Sequence, residues 1–95
     1  MNDDQILAAV KTDLQISGSA YDTRLLQIIE ESKAMIIEEG AKTLDPADNA
    51  KDAGLVVMYA DFRWETRKDP KAVMPRPLRW ALNNRIFGEK AVADA

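Results

Sequence analysis

Residues 50–68 read AKDAGLVVMYADFRWETRK, and the way this stretch is read decides the fold. Its centre, Leu55 to Tyr59, has enough β-branched content to suggest a strand. The run continues without proline into the charged segment Arg63 to Lys68, however, and is far longer than a typical strand, so it reads as a helix. Ala53, Leu55, Val56, Val57, Met58, Tyr59, Ala60, Phe62 and Trp64 make it too apolar for a surface helix, and it is expected to be buried on most sides.

The flanking segments agree with this reading. Downstream, Pro70, Pro75 and Pro77 enclose Lys71 to Arg76, which is expected to be irregular because the residue before a proline is pushed out of helical geometry. Pro77 suits the first turn of a final helix carrying Leu78, Ala81, Leu82 and Ile86, with Gly88 as its predicted end and residues 88–95 as a frayed tail. Upstream, Asp45-Pro46 with Asp48 and Asn49 marks a connection that offers a helix cap, and Gly40 sits where a C-terminal cap belongs. Between Tyr21 and Glu39, Leu25, Leu26, Ile28, Ile29, Met35, Ile36 and Ile37 cover more than a third of the helical circumference. This segment is predicted to be the centre of the fold, with Ser19 or Asp22 as its cap. A short first helix follows Asp3 or Asp4 and carries Ile6, Leu7, Val10 and Leu14 on one stripe. The predicted fold is all-α: one domain, a small antiparallel bundle of about four helices, with a proline-rich connector before the last.

Ninety-five residues bury too little surface for two independent cores and leave a single core marginal. The chain has no Cys and no His, which removes disulfides and the usual zinc ligands as supports and leaves oligomerisation. The same absences close the commonest routes to acid-base and nucleophilic catalysis. Adjacent carboxylates such as Glu30-Glu31 diverge by about 100° on a helix and do not converge on a metal. No enzyme activity, cofactor or metal is expected. The acidic N-terminus is not followed by a long apolar run, so neither a signal peptide nor a membrane span is expected, and the reading is cytoplasmic.

Net charge is −3, but residues 1–54 hold 5 Lys and Arg against 11 Asp and Glu, whereas residues 55–95 hold 8 against 5. Opposite ends of opposite sign suit either an ordinary solvated surface or head-to-tail attraction between copies. The basic residues of the second half interleave with Trp64, Trp80 and Phe87, which keeps a small helical DNA-binding regulator in view. The connector is longer than the tight turn of a helix-turn-helix, and the whole chain is acidic, so this remains an alternative, alongside a helical subunit of another complex.

Met58-Tyr59, Trp64-Glu65-Thr66-Arg67, Met74-Pro75, then Leu78 to Leu82 and Arg85, preceded by Leu14-Gln15-Ile16 and a long helix from Asp22 to Ile37, resemble the head-tail connector (adaptor) proteins of tailed double-stranded DNA bacteriophages. In that family an aromatic-x-x-Arg group closes the penultimate helix, a proline-containing connector follows, and a short helix with an Arg ends the pattern. The likeness spans Ile6 to about Phe87. Ala41-Lys42-Thr43-Leu44 replaces an aromatic motif common in the family. The resemblance implies a virion structural protein that forms a homo-oligomeric ring, typically dodecameric, under the portal protein at the phage neck. Its other implied partner is a downstream neck or tail-completion protein, and DNA passes the channel without specific binding. Assembly takes place in the host cytoplasm.

On that reading Trp64, Arg67, Arg79, Trp80 and Arg85 are candidate subunit or portal contacts, because Trp and Arg combine buried area with directional hydrogen bonds. Core packing competes for Trp64 more than for Trp80, and helix C-terminal carbonyls compete for Arg67. Glu30, Glu31, Glu38 and Glu39 are candidate channel-lining residues whose like charge repels phosphate, with a solvated outer face as the rival reading.

Overall fold

The computed structural model describes residues 1–94, with side chains through residue 90. Four helices follow in order, α1 (Asp3–Leu14), α2 (Asp22–Glu39), α3 (Ala50–Glu65) and α4 (Arg76–Asp94), and no strand occurs among the described residues. The molecule measures 46 × 31 × 18 Å, thin enough to be about two helices deep.

Helix α1 starts one residue earlier in its capping chemistry than the sequence suggests. Asn2 Oδ1 accepts the Gln5 N–H at 2.8 Å, and Gln5 Oε1 accepts the Asn2 N–H at 2.9 Å. Asp3 and Asp4, the expected caps, lie instead in the first turn, where their charge faces the positive end of the helix dipole. Neither Ser19 nor Asp22 caps α2 with its side chain, since Tyr21 occupies the N-cap without a side-chain bond. Asp22 is used otherwise, in an ion pair of 2.7 Å with Lys11 of α1. Asn49 caps α3 through the Asp52 N–H.

The centre of the bundle is α3, not α2. Helix α3 packs against all three others and buries Ala53, Leu55, Val56, Val57, Tyr59, Ala60 and Trp64. The apolar residues that widened the stripe of α2 do not all find neighbours: Met35 and Ile37 stay 40% and 41% exposed. Apolar content therefore overstated how many sides of α2 are covered, while Ile6 and Val10 of α1 and Leu25, Ile28, Ile29 and Ile36 of α2 close around α3 in one continuous core.

Gly40 ends α2 at φ 135°, a backbone conformation that L side chains rarely adopt. A Cβ there would meet Ile86 Cγ2 at 3.1 Å, so the missing side chain also lets α4 approach the end of α2. Residues 66–75 form the irregular connector, and α4 is held to α3 by Leu78 and Leu82, 2% and 0% exposed. Each such buried leucine contributes about 1.5–3 kcal/mol.

Gly88 does not end the last helix, which continues through Asp94. One glycine inside a helix costs only about 1 kcal/mol relative to alanine, and no proline follows it. The frayed tail expected over residues 88–95 is thus helical as far as Asp94, and Ala95 lies outside the described residues.

Candidate functional site

The five Trp and Arg residues singled out from the sequence fall into different environments. Arg85, on the inner side of α4, is committed within the fold. Its Nε donates to Asp52 Oδ1 at 2.7 Å, its Nη1 to Glu89 Oε2 at 2.9 Å and its Nη2 to Thr43 Oγ1 at 3.1 Å. Thr43 in turn donates its hydroxyl to Glu89 Oε2 at 2.6 Å. The bond to Asp52 is the main cause that raises the guanidinium pKa, and the Thr43 hydroxyl, followed by Arg85, lowers that of Glu89. Arg85 was expected at a contact surface. It is held by Asp52, a carboxylate only 2% exposed that needs a cation, and it stays partly exposed beside the open groove between α3 and α4.

Trp64 lies in the core, edge-on to the Tyr21 ring with centroids 5.3 Å apart. Arg67 stacks its guanidinium 3.9 Å from the centre of the Trp64 ring and donates to the Trp64 carbonyl at 2.6 Å, closing the end of α3 as basic residues do near a helix C-terminus. Arg79 pairs with Glu39 at 3.5 Å. Arg67 and Arg79 remain exposed while making these contacts, and Trp80 is 70% exposed.

Trp80 borders an open groove of about 650 Å³ between α3 and α4, lined also by Gly54, Leu55, Met58, Ala81 and Gly88. Phe87, 76% exposed, lies two turns further along α4 on the same stripe as Trp80. Met58, 37% exposed, rises from α3. The groove exists because Leu78, Leu82 and Arg85 tie down one side of α4 and leave the other facing solvent.

The four glutamates do not form one uncompensated surface. Glu30 pairs with Lys33 at 3.0 Å, and Glu31 with Arg63 at 2.7 Å and with Arg24 at 3.7 Å; the Arg63 hydrogen bond lowers the Glu31 pKa. Glu39 turns toward Arg79 on α4. Glu38 makes no ion pair among the described residues.

Two further groups escape a reading of the sequence. Asp52 and Asp61 sit in the apolar run of α3, and their only signal is that position. Asp61 Oδ1 is buried with no hydrogen-bond partner as a carboxylate. Burial first, and then the neighbouring Asp13 carboxyl of α1 and the charge of Glu65, push its pKa up to about 8.

Among the described residues no cluster of His, Cys, Asp or Glu could hold a metal ion, and no helix is long and apolar enough to cross a membrane. The chain is a small all-α protein whose open feature is an apolar groove. It matches no family model, no curated protein and no solved structure.

Proposed function

We propose that this chain is a structural head-tail connector of a tailed bacteriophage, a protein that works by assembling into a ring under a portal and that catalyses no reaction. The observation that carries this reading is the exposure of Trp80 and Phe87, 70% and 76%, on a helix that buries Leu78 and Leu82 on its other side. Large aromatic side chains left on the surface of so small a chain mark a surface that is covered in an assembly. The order of the first three helices and the connector supports the same reading: a short α1, a long α2, an apolar α3 followed by Thr66 and Arg67, and a proline-rich connector, although α4, at 19 residues, is longer than the short closing helix of that pattern.

The connector would sit at the neck of the virion, between the portal and a downstream neck or tail-completion protein, after assembly in the host cytoplasm. Double-stranded DNA would pass through its channel. A channel-lining role does not extend evenly to the four glutamates, because Lys33, Arg63, Arg24 and Arg79 compensate three of them. Glu38 is the one whose charge remains available to repel phosphate.

Electron microscopy of the concentrated protein, alone and mixed with a portal ring, tests the proposal. Closed rings, free or seated on the portal, are expected. Absence of rings in both samples would reject the connector reading. Salt-sensitive retardation of duplex DNA by the isolated chain would favour a DNA-binding regulator instead.

A further inference from the structure

Gly54 and Gly88 lie within helices, where each costs about 0.5–1 kcal/mol relative to alanine. Nothing inside the molecule requires either one. Both have φ values accessible to any residue, and a Cβ added at either meets no atom within 4 Å. Both line the same groove, Gly54 from α3 and Gly88 from α4, beside the exposed Trp80 and Met58. Two glycines unexplained by the fold, facing one apolar groove, are the signature of a surface that a second backbone approaches closely.

The position of the groove narrows the choice of occupant. Arg63 of α3 reaches Glu31 and so marks the side of α3 that faces α2. Gly54 is nine residues from Arg63 and Met58 is five, which places them about 180° and 140° round the α3 axis from that side. The groove and the outer face of α2 therefore lie on nearly opposite flanks of the molecule. Identical subunits in a ring of about a dozen must present two different contact faces about 150° apart. The outer face of α2 has a matching character: Ala34 and Ile37 are exposed there between Glu30 and Glu38. Glu38 beside that strip and Lys51 at the groove each make no ion pair among the described residues. The two flanks thus offer unpaired charges of opposite sign, and each has an exposed apolar strip.

We infer that the α3–α4 groove receives the outer face of α2, centred on Ala34 and Ile37, from a second copy of this chain in a head-to-tail contact. The inference rests on the self-assembly reading above and specifies its contact. Gly54 and Gly88 let the incoming helix settle against backbone, Trp80 and Met58 wall it in, and Lys51 at the rim meets the acidic residues of α2.

The absence of cysteine from the chain gives a clean test. Ala34→Cys, Asn84→Cys and the double variant would each be concentrated to about 1 mM, where an interface with a dissociation constant of that order is substantially filled, and treated with a short flexible bismaleimide. Both positions are exposed, and Asn84 lines the groove. The double variant is expected to yield a ladder of covalent dimers, trimers and higher oligomers, and each single variant to remain monomeric. Adding Gly54→Leu to the double variant is expected to reduce the ladder at least tenfold without lowering helicity or the thermal midpoint. A dimer from Asn84→Cys alone would mean that groove meets groove and would overturn the inference. So would the absence of a ladder from the double variant, or a ladder indifferent to Gly54→Leu. Rings in the microscope without a ladder would reject this contact and leave the connector reading intact; a ladder without rings, even with a portal present, would do the reverse.

Discussion

Arg85 Nε and Asp52 Oδ1 lie 2.7 Å apart across 33 residues of sequence, and this ion pair joins the last helix to the buried start of α3. Asp52 is 2% exposed and also accepts the Asp45 N–H at 2.9 Å, so one carboxylate fixes both the α2–α3 connection and the docking of α4.

Removing one member of this pair leaves the other without its partner. Arg85→Ala should lower unfolding stability by about 2–3 kcal/mol, below the cost at a fully enclosed pair because the guanidinium retains some access to water. Denaturant titration followed by circular dichroism measures it. A change under 0.5 kcal/mol would show that Asp52 is satisfied without Arg85.

The two tryptophans should separate cleanly. Trp64 is 9% exposed and Trp80 70%. Trp64→Ala is expected to cost about 3–5 kcal/mol of stability, whereas Trp80→Ala should stay within about 0.5 kcal/mol of the parent. In light scattering at high concentration, Trp80→Ala should reduce self-association. An unaltered assembly state would remove Trp80 from the contact.

The same substitution should have opposite signs at two glycines. At Gly40 an added methyl meets Ile86 at 3.1 Å and φ is 135°, so Gly40→Ala should destabilise by about 1–3 kcal/mol. At Gly54 there is open space, and Gly54→Ala should stabilise the monomer by about 0.5–1 kcal/mol through improved helix propensity. Thermal melts of the two variants beside the parent decide the matter.

Stability should fall as pH rises from mildly acid to mildly alkaline because of Asp61. Its pKa is about 8 in the fold against an ordinary value of 3.8. Below about pH 4 the side chain is protonated in both states and its contribution is complete. Between there and about pH 8 the unfolded chain has lost the proton that the folded chain still holds, so the contribution declines; above about pH 8 it is gone. Asp61→Asn should flatten this slope and stabilise the protein by about 1–3 kcal/mol at pH 8, since a neutral amide avoids burying charge beside Asp13 and Glu65. A parent whose stability is level between pH 5 and 8 would exclude a raised Asp61 pKa.

The all-helical class and the four segments are legible along the chain. Period and proline placement locate α3 and the connector, and Gly40 and Asn49 mark helix ends through local chemistry that involves few neighbours. Gly88 misleads because glycine lowers helix propensity without forbidding helix, and the helix that crosses it is anchored just upstream by Leu82 and Arg85. The candidate surface is only partly legible. Trp64, in a dense apolar run, reads as the more buried tryptophan and is so, at 9% against 70% for Trp80, whereas Arg85 has the same local signature as a free arginine.

Sequence by itself determined the helical periodicities, the connector and the opposite charge of the two halves, because these depend on residues a few positions apart or on composition. Tertiary structure alone decided that α3 is central, that Arg85 belongs to Asp52, that Asp61 meets Asp13, and that Gly54 and Gly88 border one groove. Those are meetings of residues distant along the chain. They are set by which faces the packing of four helices brings together, and no local propensity encodes that choice.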